Sequence, residues 1–221
     1  MRKIIGAAFV SLDGVMQAPG GPTEDPTGGF DKGGWLAPFF DQETGEAIDR
    51  IFHEPFDLLL GRRTYDIFAA YWPYAEGESK PMGEMFDRIG KYVVTRSGAP
   101  LEWQNSHRLE SLDALAELKR TEGPDLVIQG SSTLYPQLLA AGLLDRLTLM
   151  SFRLVLGKGK RLFGEGTPAR TMKIVDHKAS ANGNIIATYE PDGEVETGSF
   201  ASPDPSAAEL ERREKVEAGS W

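Results

Sequence analysis

Cysteine is missing from all 221 residues. That excludes disulfides, thiolate nucleophiles and cysteine-ligated zinc together, and it fits a reducing cytoplasm. Long apolar runs are missing too: nothing approaches the ~20 residues needed to span a bilayer. The N-terminal stretch "MRKIIGAAFV" is closed off by Ser11 and Asp13, as a first strand would be rather than a secretory signal. Positive charge is scarce. A formal net charge of −9 leaves no general basic surface, so neither nucleic acid nor membrane is expected as a partner. One small basic pocket remains compatible with that balance. His53, His107 and His177 are scattered without metal-ligand spacing, and no metal site is expected.

What is present is an alternation of two periods. Strands are read at Lys3–Val10, Phe56–Leu60, Lys91–Thr95, near Leu109, at "DLVIQG" and over Arg146–Leu156. Helical spacing falls at Asp41–Phe52, Thr64–Tyr71, Met82–Ile89, after an N-cap at Ser111, and over "SSTLYPQLLAAGL". Two further strands, "TMKIVDHKAS" and "NIIATYE", flank Asn182-Gly183, a pair suited to a tight hairpin turn. Strands alternating with helices predict an α/β fold with a mostly parallel sheet, here closed by an antiparallel C-terminal hairpin. The domain is read as 1–190, and 191–221 as an acidic, polar tail ending in a short helix. Residues 17–34, rich in Gly and Pro, have no period of their own; loops that long tend to be functional or disordered.

In a parallel sheet, ligands gather at the carboxyl ends of strands. Three such ends carry anion-binding chemistry. Gly61, Arg62, Arg63 and Thr64 combine a turn, a helix N-terminus and two guanidinium forks. Thr95, Arg96 and Ser97 alternate hydroxyl, guanidinium and hydroxyl. Gly130, Ser131 and Ser132 allow close backbone approach and add donors at another helix start. Each turn by itself also reads as an ordinary turn, N-cap or solvated charge. Together they suit an adenine dinucleotide carrying an extra ribose phosphate.

Four segments, "SLDGVM", "LLGRRTYDIF", "VIQGSSTLYPQLL" and "LVLGKGKRLF", occur in this order. They resemble the dihydrofolate reductase-like superfamily, in the branch of the reductase domain of the riboflavin-biosynthesis deaminase-reductase. The resemblance covers about 1–190. It implies a three-layer αβα fold with about eight strands, NADPH as hydride donor, and a homodimer. By position, Ala8 offers backbone to the nicotinamide carboxamide, and Gly61, Arg62, Arg63 and Thr64 hold pyrophosphate and ribose 2′-phosphate. Thr95, Arg96 and Ser97 surround the adenosine end, with Gly130, Ser131 and Ser132 at the pyrophosphate. The implied activity is reduction of a small heterocycle, nominally the phosphoribosylaminouracil of riboflavin synthesis, with a pterin or folate as the alternative. A reading of another class is a nucleotide-binding module without catalysis. A cytidine-deaminase motif needs cysteines, so any deaminase step belongs to another chain. "TYDIFAAYWP" stands where the riboflavin reductase carries its substrate-phosphate segment.

Hydride transfer to an imine or carbonyl needs a proton, from a carboxylic acid or a bound water. Asp13, beside Gly14, reads equally as that acid or as a turn-forming Asp-Gly pair. Glu46 and Asp49, on the first helix with Asp41 and Glu43, are weaker candidates, since acids along an exposed helix face are usually just solvated. Trp35 and Phe39, with Phe40, could wall a flat ring or belong to core packing. Lys158 and Lys160 in "GKGKR" could meet a substrate phosphate or lie on a basic hairpin.

Overall fold

The computed structural model describes residues 1–53 and 55–220. Its strands are β1 (Ile4–Ser11), β2 (Phe56–Gly61), β3 (Lys91–Val94), β4 (Ser106–Leu109), β5 (Asp125–Gln129), β6 (Arg146–Phe152), β7 (Met172–Ala179) and β8 (Ile185–Pro191). The helices are α1 (Gln42–Ile51), α2 (Arg62–Tyr71), α3 (Lys80–Arg88), α4 (Leu112–Arg120), α5 (Leu134–Ala140) and α6 (Ala207–Glu217). The eight strands form one sheet in the order β4-β3-β2-β5-β1-β6-β8-β7. The ladders from β4 across to β6 are parallel, whereas β8 runs antiparallel to both β6 and β7.

Burial explains why the apolar runs became central strands. Every residue of β2 is buried, and its side chains divide by the two-residue period: Leu59 to one face, Leu58 and Leu60 to the other. The first face is covered by α4 and α5 through Leu115, Leu134, Leu138 and Leu139. The second is covered near β2 and β3 by Tyr65 of α2 and Phe86 of α3, with Phe52 beyond α1. Near β1, β6 and β8 it is covered by Ala47 of α1 and by Phe30, Trp35 and Leu36 of the long loop. The result is the three-layer dihydrofolate reductase-like fold.

The Gly/Pro loop is pinned along its length by the side chain of Gln17. Its Nε2 donates to the carbonyls of Asp25 (2.8 Å) and Thr27 (2.9 Å), and its Oε1 accepts from the Lys160 amide (2.9 Å). Trp35 Nε1 donates to the Gln17 carbonyl at 2.8 Å, fixing the far end. Beyond β8 the chain follows Thr171 as far as Glu194, then continues through exposed residues into α6, none of which is buried. Among the described residues no helix is long and apolar enough to cross a membrane.

Candidate functional site

All three predicted turns lie at the carboxyl edge of the sheet, on the adjacent strands β3, β2 and β5. Two of them are joined directly. Ser131 Oγ accepts the Gly61 amide at 2.7 Å and donates to Thr64 Oγ1 at 2.8 Å, across nearly seventy residues of sequence. Ser131 adopts φ +68°, a left-handed conformation that costs an L-residue about 1–2 kcal/mol, and strain of this kind concentrates at functional sites. Its neighbour Gly130 has φ +95°, and a Cβ there would lie 3.1 Å from Thr64 Cγ2. The Gly130 backbone thus packs closely against the Thr64 side chain. Gly61, by contrast, has an ordinary extended φ of −80°. It is needed for proximity, because a Cβ would stand 3.1 Å from Ser131 Oγ.

The expected helix starts shift by a few residues. α2 begins at Arg62 rather than Thr64, while α5 begins only at Leu134, so Ser131 and Ser132 belong to the preceding turn and do not cap it. The arginines differ in their commitments. Arg62 is engaged: its guanidinium contacts Asp66 at 2.9 Å and donates to the carbonyls of Ala99 (3.0 Å) and Pro100 (3.2 Å). Arg63 and Arg96 are exposed, and among the described residues neither side chain makes a hydrogen bond or ion pair. Thr95 Oγ1 accepts the Ser97 amide at 3.1 Å, so Arg96 sits at the crest of a small hydroxyl-braced turn.

The opening beside β1 is defined by register. Pairing of β1 with β5 ends at Ala7↔Gln129, while pairing with β6 runs on to Ser11↔Phe152. Lys3 C=O accepts from Leu126 of β5, whereas Ile4 C=O accepts from Asp145 ahead of β6. Alternation then turns the polar backbone of Ala7 and Phe9 toward β5 and that of Ala8 toward β6. Ala8 therefore addresses the paired side rather than the opening. Sequence reading also missed Tyr135. Its hydroxyl, fully buried, donates toward Ala7 C=O (3.0 Å) and Ile128 C=O (3.1 Å), capping the end of the β1–β5 ladder. Burial pushes that phenol well above its usual range, so it stays neutral. Gly6 makes room for the ring, since a Cβ there would fall 2.7 Å from it.

The predicted acids do other work. Asp13 Oδ1 accepts from Ser11 Oγ (2.6 Å) and the Leu156 amide (3.0 Å), and Oδ2 from the Gly157 amide (2.8 Å). The Ser11 hydroxyl first, then these amides, hold its carboxyl down at about 2, which disfavours a proton-donor role. Beside it Gly14 turns with φ +77°, so the turn-forming reading describes its geometry. Glu46 bonds Gln42 and faces Lys178 of β7 at 3.5 Å, and Asp49 is exposed on α1. Asp41 caps α1 through the Thr44 amide (2.9 Å) and receives Asn184 Nδ2 (2.8 Å). In the long loop, burial outweighs the Gly20 and Gly21 amides and raises the Glu24 carboxyl.

The proposed aromatic wall is also committed. Trp35 is buried in the core, edge-on to Phe152, and Phe39 lies half-buried beneath the Arg153 guanidinium at 5.5 Å. Lys160 pairs with Asp25 and bonds Thr27 Oγ1 at 2.7 Å, leaving Lys158 as the exposed lysine of that turn. Two clefts lie away from this opening. One of about 450 Å³ sits among Phe52, Asp57, Gly90 and Pro124 at the amino ends of the strands. Another of about 600 Å³ flanks α2 between Tyr65, Asp66 and Trp103.

Comparison with known proteins places this arrangement in a family. A model described as the RibD C-terminal domain matches residues 2–186. The uncharacterised protein YyaP of Bacillus subtilis (strain 168) is 27% identical over 202 residues, covering 87% of this chain and 96% of that one. A putative riboflavin biosynthesis protein from Shewanella sp. PV-4 superposes with a TM-score of 0.57 at 18% identity, over 86% of this chain and 99% of that one. A pyrimidine reductase-like protein from Corynebacterium diphtheriae gives 0.56 at 14% identity, over 87% and 93%. Dihydrofolate reductase from Enterococcus faecalis, complexed with NADP(H), gives 0.50 at 16% identity, over 86% and 96%. With five-sixths of its length matched by the family model and its sheet superposing on these structures, the chain belongs to the RibD C-terminal domain family.

Proposed function

We propose that the protein is an NADPH-dependent reductase of a small heterocyclic substrate, with the dinucleotide lying along the carboxyl edge of β3, β2 and β5. The observation that carries this reading is the junction of Gly61, Thr64, Gly130 and Ser131, two turns tied so closely that a Cβ at Gly130 would press on the Thr64 side chain. The uncommitted guanidinium groups of Arg63 and Arg96 flank it, and planar forks of this kind suit phosphate oxygens. Family membership and the NADP(H) complex of the structurally similar dihydrofolate reductase support the same assignment.

When bound, the nicotinamide supplies the hydride; the protein's part is orientation and enclosure. Gly130 and Ser131 present close-packed backbone to the pyrophosphate, while Arg63 and Arg96 bind the ribose 2′-phosphate. The polar backbone of Phe9, past the end of the β1–β5 ladder, orients the nicotinamide ring in the opening. Asp13 keeps Leu156 and Gly157 in place as a carboxylate, and the proton for the reduced substrate comes from water. The nominal substrate is the phosphoribosylaminouracil of riboflavin synthesis, with a pterin as the alternative. A cytoplasmic homodimer seamed along the free edge of β7, where Ile174 and Val175 are exposed, completes the proposal.

The test is NADPH oxidation against a panel of pyrimidine and pterin substrates. Turnover by wild type that persists in Asp13→Asn supports both the activity and the water-borne proton. Tight NADPH binding with no turnover on any member of the panel would favour the non-catalytic nucleotide-binding reading.

A further inference from the structure

The turn that carries Arg96 has no hydrogen-bonded backbone frame of its own. Residues 96–100 are all exposed, and among the described residues the segment makes no backbone–backbone hydrogen bond. Two short side-chain bonds brace its interior: the Ser97 amide to Thr95 Oγ1, and the Ala99 amide to Ser97 Oγ at 3.2 Å. Its attachment to the body comes from two arginines on opposite flanks of β3. Arg62, at the start of α2, donates Nη1 to the carbonyls of Ala99 and Pro100 at 3.0 and 3.2 Å. Arg108, on β4 opposite Val93, donates Nη2 to the same Ala99 carbonyl at 2.7 Å.

This convergence is unfavourable in every respect but one. Two like charges meet at one oxygen, and Arg108 Nη1 is buried with no protein acceptor, a state that costs free energy. What the arrangement achieves is to clamp one carbonyl from both sides with charge-assisted donors. We infer that Arg108 is a positioning residue: with Arg62 it fastens the 96–100 turn and so fixes Arg96, leaving Arg63 and Arg96 as the cations that meet the ligand's phosphate. The link to phosphate rests on the proposed cofactor site; the clamp itself does not. Arg62, which sequence reasoning assigned to the phosphate, becomes part of the frame.

The experiment has two arms on the full chain. Amide hydrogen exchange at Ser97 and Ala99, the two bonded amides of the turn, is measured without cofactor for wild type and for R62A, R108A, R108K, R63A and R96A. Loss of a charge-assisted bond should speed exchange in R62A and R108A by about tenfold or more. R108K, which keeps one donor, should restore much of the protection, and R63A and R96A should leave it unchanged. NADPH titrations at low and moderate salt form the second arm. R63A and R96A should weaken binding and flatten its salt dependence, because each removes a screened charge. R108A should weaken binding while preserving the salt dependence.

Unchanged exchange in R108A would overturn the inference, as would faster exchange with wild-type NADPH affinity. A flattened salt dependence in R108A would overturn it by making Arg108 a phosphate ligand. If R108A does not fold, R108K decides: wild-type protection and affinity uphold the clamp, and lost protection refutes it. A wild type that binds no NADPH would remove the functional reading, while the exchange arm would still decide the clamp.

Discussion

Ser131 holds the turns at Gly61 and Gly130 together, and its removal gives a graded prediction. Ser131→Ala deletes the acceptor of the Gly61 amide and the donor to Thr64 Oγ1, now at 2.7 and 2.8 Å. One lost bond is worth about 1 kcal/mol, and the orphaned, half-enclosed amide adds about as much again or more. The alanine keeps a Cβ at φ +68°, so no backbone strain is relieved. The total is about 2–3 kcal/mol. Ser131→Gly loses the same bonds but sheds the left-handed penalty of about 1–2 kcal/mol, offset partly by glycine's backbone entropy. It should therefore be less destabilised than the alanine variant by about 1 kcal/mol. Urea unfolding with a shared slope reads both differences. Thermally, the alanine variant should melt lower by roughly 5–10 °C for a chain of this size. NADPH affinity should fall in both, because the two turns are no longer tied. An alanine variant within about 0.5 kcal/mol of wild type, or a glycine variant below it, would refute the assigned role.

Other positions give independent outcomes. Gly6→Ala drives a methyl to 2.7 Å from the Tyr135 ring and 2.8 Å from Leu147 Cδ1, so overpacking should cost about 1–3 kcal/mol by denaturant titration. Asp13→Asn weakens the carboxylate clamp on Leu156 and Gly157 and should expose residues 156–161 to faster amide exchange. The depressed Asp13 pKa makes its contribution full above the ordinary carboxyl range near 3.8 and lost as pH falls through about 2, so the asparagine variant should lose part of the acid-unfolding dependence. Lys91 is fully buried, and burial lowers its amine from 10.5 to about 8, so the unfolded chain binds more protons between those values. Stability should then climb between pH 8 and pH 10 on this group's account, by up to about 3 kcal/mol, and Lys91→Met should flatten that climb.

The legible parts of this protein were those governed by local rules. β2 was read as a strand over Phe56–Leu60, and the observed strand extends it only by Gly61, with every residue buried. Ser111 caps α4 through the Ala114 amide at 3.1 Å, and Gly183 turns the closing hairpin at φ +84°. Two-residue periodicity and cap chemistry act over a few residues, so the sequence displays them directly. The three candidate turns fall on one edge of the sheet for the same reason, since each follows its own strand.

What stayed hidden depends on partners far away in sequence. Asp13 was open to two readings because its carboxylate is satisfied by amides 143 and 144 residues later. Arg62 read as a phosphate ligand because nothing near it announces the carbonyls of Ala99 and Pro100. The side that Ala8 addresses was hidden as well: strand register decides which carbonyls face β5, and a slip of one reverses them all. Tyr135 was passed over as one residue of a helix. The only trace of its role was a glycine at position 6 on the facing strand, which has meaning once the two are known to touch.

The central claim is that the joined turns, with Arg63 and Arg96, hold NADPH. It is tested most directly by calorimetric titration of the purified chain with NADPH and with NADH at low and moderate salt. The account predicts tighter binding of NADPH, a preference that shrinks with salt and that Arg63→Ala and Arg96→Ala each reduce. Equal affinity for the two dinucleotides, or binding of neither, would contradict it.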